Sequence, residues 1–119
     1  MPNLMAQFLE HRRNQETTVA TEYVYKHVLE LYARFLLGTE HFVLDENADD
    51  QILDLKVTQC TWIKARACLF HFHRVLRLSN KSIYNRVSVL RSFYKFLIEQ
   101  RKVDANPFKY PKRRANVKV

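Results

Sequence analysis

Apolar residues recur at intervals of three and four along most of this chain, and the intervals divide it into segments with distinct faces. From Asn3 to about Gln15, Leu4, Met5, Phe8 and Leu9 fall on one side and Gln7, Glu10, Arg12 and Arg13 on the other, which predicts a short first helix packing as a lid. The polar run Gln15-Glu16-Thr17-Thr18 reads as a connection, with Thr17 or Thr18 capping a second helix that ends at Leu37, where Gly38 supplies a left-handed residue. Tyr25, Val28, Leu29, Tyr32, Phe35 and Leu36 form its buried stripe. A third helix is expected from a cap at Thr58 or Thr61 to about Leu78. Its Trp62, Ile63, Ala67, Leu69, Phe70, Phe72, Val75 and Leu76 point in nearly every direction, which is the pattern of the most buried helix. Ser79 caps a fourth, antiparallel to the third, in which Ile83, Val87, Leu90, Tyr94 and Leu97 share one stripe. Its far side carries Lys81, Tyr84, Asn85, Ser88, Arg91, Ser92 and Lys95, a face of basic, hydroxyl and amide groups without a carboxylate.

Punctuation agrees with an all-helical chain. A single glycine and three prolines, at positions 2, 107 and 111, leave the middle free of helix breakers except Gly38. The 119 residues suit one domain, and a chain of this size buries roughly two-thirds of its unfolded surface. No apolar run is long enough to span a bilayer and no signal-peptide pattern opens the chain, so a soluble, cytoplasmic protein is expected. Cys60 and Cys68, placed on one helix about 12 Å apart in rise, cannot bridge each other.

Charge is distributed unevenly. Residues 39 to 54 hold six acids and no base, and are read as an ordered acidic excursion between helices two and three, a solvated loop that aids solubility. A short hairpin or an extra turn of helix is open to its Phe42-Val43-Leu44 and Ile52-Leu53. Residues 55 to 119 hold sixteen Lys and Arg against only Glu99 and Asp104, which favours a nucleic acid or an anionic surface as partner. Beyond Asn106-Pro107, the cations Lys109, Lys112, Arg113, Arg114 and Lys118 form a basic, flexible tail.

The run Leu78-Ser79, Ser82-Ile83, Arg86 and Val87 to Leu97, followed by Asn106-Pro107 and Pro111-Lys112, resembles the last helix and exit segment of the N-terminal SAM-like, or core-binding, domain of the tyrosine recombinases (phage integrase family). Upstream, Thr21, Tyr25, Leu29, Tyr32, Phe35 and Leu36 are similar to that domain's Thr-x3-Tyr-x3-Leu-x2-aromatic pattern, so the resemblance covers most of the chain. It implies a compact four-helix orthogonal bundle over residues 1 to 106, with a basic linker over 107 to 119 toward a catalytic domain outside this sequence. It also implies double-stranded DNA and other recombinase protomers as partners, with the isolated domain monomeric, binding DNA without cutting it. Carried over to matching positions, it implicates Lys81, Tyr84, Asn85, Arg86, Ser88, Arg91 and Lys95 in DNA contact, with Thr21 and Lys26 on the second helix and Lys109, Lys112, Arg113 and Arg114 along the exit. Arg86, on the flank of the apolar stripe, could instead pair with a carboxylate.

Other chemistry is weakly represented. His71 and His73 stand about 160° apart on a helix and no Cys-x2-Cys pair occurs, so neither a metal site nor a cofactor is expected. None of the six tyrosines lies in a catalytic motif, and no Gly-rich phosphate loop is present, so no catalytic residue is assigned. Two rival readings are a helical protein-interaction module and a small dimeric transcription regulator, the second lacking a heptad run to build its dimer.

Overall fold

The computed structural model describes residues 2–15 and 18–109. Five helices follow one another: α1 (Leu4–Arg13), α2 (Val19–Leu37), α3 (Gln51–Thr58), α4 (Trp62–Arg74) and α5 (Asn80–Glu99), and no strand occurs among the described residues. Each begins on a side chain that accepts a first-turn N–H: Asn3, Thr18, Asp50, Thr61 and Ser79. Such caps satisfy donors that the helix itself leaves unpaired. The all-helical class is therefore as expected, with one helix more than the four anticipated.

α2 and α5 form the centre. Val28, Leu29, Tyr32 and Leu36 of the expected α2 stripe are buried, as are Val87, Leu90, Tyr94 and Leu97 of α5. α5 buries a second row as well, Val89, Phe93 and Phe96, against which Phe8 of α1 sets its ring at 5.4 Å from Phe93 and 5.6 Å from Phe96. α1 is thus an integral wall of the core rather than a lid, with Met5 and Leu9 fully enclosed.

The acidic segment is ordered, as expected, and its Ile52-Leu53 part is helical, but it is built into the structure rather than left as a solvated loop. Glu30 accepts the Leu44 N–H at 2.8 Å, and Arg34 donates to the Phe42 carbonyl at 3.0 and 3.2 Å, so α2 grips the chain after Gly38. The buried Asn3 amide donates to the Asp45 and Ala48 carbonyls, each at 3.1 Å, while its oxygen caps α1 by accepting from Ala6 N–H. Asp54 accepts the Leu4 N–H at 2.9 Å, Glu46 pairs with Arg13 at 2.8 Å and Asp50 caps α3. Four of the acids are consumed by backbone donors or a cation, counting the Asp45 side chain, which accepts from Asn47 N–H. The negative charge follows from fastening α3 to α1.

α3 also explains the largest correction. With Leu53 and Val57 fully buried, this short helix occupies the core position assigned from the sequence to the third helix. α4 then buries only Ala65, Cys68 and Phe72, with Leu69 half-buried against the core, and Trp62, Ile63, Phe70, Val75 and Leu76 face outward. Far from being the most buried helix, it is apolar on a side over which no other described helix packs. Cys60 precedes α4 instead of lying on it, and both cysteines are free thiols.

The core extends past Asn106. Phe108, assigned by the sequence to the tail, is buried with its ring 5.4 Å from Tyr32 and 5.9 Å from Tyr94. The chain doubles back along α5 to reach that place. Arg91 Nε donates to the Phe108 carbonyl at 2.9 Å, and the Asn106 amide donates to the Arg91 carbonyl at 3.0 Å.

Candidate nucleic-acid interface

The outward side of α5 exists because the inward side is so fully used. With the two apolar rows committed to α1, α2 and the exit segment, a helix of 3.6 residues per turn leaves one strip for solvent. Lys81, Tyr84, Asn85, Ser88, Arg91 and Lys95 are all exposed along it and Ser92 is half-buried at its edge. From Lys81 to Lys95 the strip is about 21 Å long. Tyr84, 69% exposed, Asn85 and Ser88 make no side-chain hydrogen bond among the described residues, so their donors and acceptors face outward.

Electrostatically the strip is one-sided. No carboxylate occurs in the sequence between Asp54 and Glu99, and among the described residues every ion pair involves Arg13, on α1. Lys81 and Lys95 therefore form no ion pair among the described residues. Arg91 holds the exit segment through Nε, which directs the guanidinium and leaves its two terminal nitrogens outside that bond. Arg86 is half-buried; one terminal nitrogen donates to the Ser82 carbonyl at 3.3 Å and Nε is enclosed without a partner. It pairs with no carboxylate among the described residues, and its enclosure sets it apart from the exposed strip.

The remaining expected residues are placed less directly. Thr21 sits in the first turn of α2, where its hydroxyl bonds the capping Thr18 hydroxyl at 2.9 Å, and Lys26 is half-buried one turn on. No hydrogen bond, ion pair or ring contact joins either to α5. Lys109 is exposed beside Phe108. Lys112, Arg113 and Arg114 lie outside the described residues.

One part of the site was not legible in the sequence. Where α1 crosses α5, a hollow of about 180 Å³ brings His11, Arg12 and Gln15 beside Ser92, Lys95 and Glu99. Arg12 is held there by donating to Gln15 and to the Tyr25 hydroxyl, each at 3.3 Å, with its guanidinium 4.9 Å from the Tyr25 ring centre. Periodicity put Arg12 on the polar side of α1 and Gln15 in the connection after it, and singled out no role for His11; only the crossing of the two helices brings them to the Lys95 end of the strip.

Buried and exposed tyrosines differ sharply in character. Tyr32 and Tyr94 share a hydroxyl–hydroxyl bond of 2.6 Å, and the Tyr94 hydroxyl donates to the Val57 carbonyl at 2.8 Å. Burial pushes both phenols well above their ordinary range. Among the described residues no group of three His, Cys, Asp or Glu side chains converges as a metal site would require, and no helix is long and apolar enough to cross a membrane. Compared with protein-family models, with curated proteins and with solved structures, the chain matches none.

Proposed function

We propose that this chain is a duplex-DNA-binding domain that lays α5 against the double helix, as the DNA-holding part of a recombinase that cuts and rejoins strands with a separate catalytic domain. The observation that carries the reading is the exposed, carboxylate-free strip from Lys81 to Lys95. Its cations suit phosphates, which fix register, and its Tyr84, Asn85 and Ser88 suit base edges, which carry sequence information. The resemblance of the α2 pattern and of the α5 and exit-segment pattern to the tyrosine recombinases supports the same role. So does the course of the exit segment: it returns to Arg91, so the chain leaves the domain beside the strip rather than at the end of α5.

Arg91 is unsuitable as a first test because its loss would also release Phe108. Lys81 and Lys95 carry no structural bond, so the double variant Lys81→Ala, Lys95→Ala isolates binding. Fluorescence anisotropy on a mixed-sequence duplex should show affinity falling steeply with salt, by about a thousandfold or more from 50 to 200 mM if six phosphates are neutralised. The variant should lower the salt slope by about two. Affinity indifferent to salt, or an unchanged slope in the variant, would refute the reading.

A protein-interaction module is the second reading, favoured by a hollow of about 570 Å³ between α2 and α4 lined by Leu31, Phe35, Val75 and Leu76. It predicts a partner helix seated there and no binding to DNA at low salt.

A further inference from the structure

The outer face of α4 carries ligand chemistry that the α5 strip lacks. Trp62, Arg66, Phe70 and Arg74 follow one another at four-residue steps, about 6 Å apart along the axis, and so share one stripe. Trp62 is 46% exposed and Phe70 61%. Rings and guanidiniums alternate in contact: Arg66 lies 5.7 Å from the centre of the Trp62 ring and Arg74 lies 5.2 Å from that of Phe70. A guanidinium held over a ring by the ring's quadrupole keeps its N–H edges available to phosphate oxygens.

The C-terminal end of the stripe adds a second, independent observation. Arg74 joins His73, Arg77 and Leu78 around a hollow of about 550 Å³. Arg77 takes φ 57°, the left-handed region that every residue with a Cβ disfavours. Gly38 fills the left-handed position at the end of α2. After α4 Arg77 stands in that conformation, as Arg101 does after α5, and it lines the basic hollow.

We propose that this face binds unpaired nucleotides of a single-stranded nucleic acid, with bases stacking on Trp62 and Phe70 and phosphates held by Arg66, Arg74 and Arg77. A duplex keeps its base faces internal, so it has nothing to place on two exposed rings. A single strand offers π-faces and phosphates together, and both are what the stripe alternates. An acidic protein surface engages only the cations, and an acyl chain engages only the rings. The surface shares no residue with the α5 strip, so the inference stands apart from the duplex-binding proposal.

Trp62 is the only tryptophan in the chain, so its fluorescence reports on this face alone. Titrating the whole chain with unlabelled ten-nucleotide oligothymidylate at low salt should quench Trp62 to a plateau. Phe70→Ala and Arg74→Ala should each weaken the midpoint by about tenfold, and Phe70→Tyr should restore it. Both positions changed here are solvent-facing, and circular dichroism verifies that the variants stay folded. Lys81→Ala, Lys95→Ala should leave the quenching unchanged while weakening duplex binding, which separates the two surfaces. Equal quenching by the annealed duplex or by inorganic polyphosphate would overturn the proposal, as would a response to phosphatidylserine vesicles and none to the oligonucleotide. Quenching that persists in a protein unable to bind duplex would refute the duplex proposal and leave this one standing.

Discussion

Replacing Tyr94 with phenylalanine removes one oxygen atom and two buried hydrogen bonds. The donors can be assigned: the Tyr94 proton is engaged by the Val57 carbonyl at 2.8 Å, so the 2.6 Å contact with Tyr32 is donated by Tyr32. Tyr94→Phe therefore strips Val57 of a donor and leaves the Tyr32 proton without its acceptor. The Val57 carbonyl still accepts from Gln59 and Cys60 N–H groups, so the main penalty falls on the Tyr32 hydroxyl, fully enclosed between α2 and α5 with only the Cys60 sulfur, a weak acceptor, left beside it. One lost bond and one unsatisfied buried donor together amount to about 2–3 kcal/mol. Tyr32→Phe removes only the incoming bond and strands nothing, a loss of about 1 kcal/mol. The double variant removes the orphan along with the bond, and should cost no more than Tyr94→Phe alone. Urea unfolding followed by circular dichroism measures all three, and with a slope of about 1–2 kcal/mol/M the Tyr94 variant should move the midpoint by about 1–3 M. Strictly additive losses, or Tyr32→Phe as damaging as Tyr94→Phe, would show that the donor assignment is wrong.

Three further outcomes are expected. Phe108→Ala should lower stability by about 3 kcal/mol, because its ring fills the space between Tyr32 and Tyr94; a loss below about 1 kcal/mol in the same urea assay would show that the exit segment is not part of the core. Burial raises both thiols, Cys68 far more than Cys60, so iodoacetamide at pH 8 should modify native Cys68 only after unfolding, as peptide mass spectrometry would reveal. The hydrogen bond from Arg13 holds the Glu22 carboxyl below its ordinary 4.5; a depressed folded value means stabilisation that is complete above 4.5 and lost as pH falls through the folded value. Arg13→Ala should flatten that acid limb of thermal stability, and an unchanged limb would refute the assignment.

The sequence made α2 and α5 legible because each has a cap, a single-faced stripe and no breaker. Ser79 and Thr18 cap where expected, and the strip Lys81–Lys95 emerges on the side opposite the stripe. α3 was obscured because eight residues give too little periodicity, and because Asp50 and Asp54 read as loop acids when one is a cap and the other a tie to α1. That single omission propagated: without α3 in the core, the dispersed apolar residues of α4 had to be assigned inward. Asn3 and Phe108 were missed for a different reason. Their partners, Asp45 and Ala48 for one and Tyr32 and Tyr94 for the other, lie far away in sequence, and no local pattern encodes such a meeting.

The return of the exit segment along α5 has a mechanical consequence. A pull on the chain beyond Lys109 is not delivered to the last turn of α5, which would unwind residue by residue. It meets the Arg91–Phe108 bond and the wedged ring first, and through Tyr94 it reaches Val57 of α3. Load is therefore spread across three helices and sheared instead of peeled, so a tethered domain or strand could tug on this one without fraying the helix that carries its basic strip.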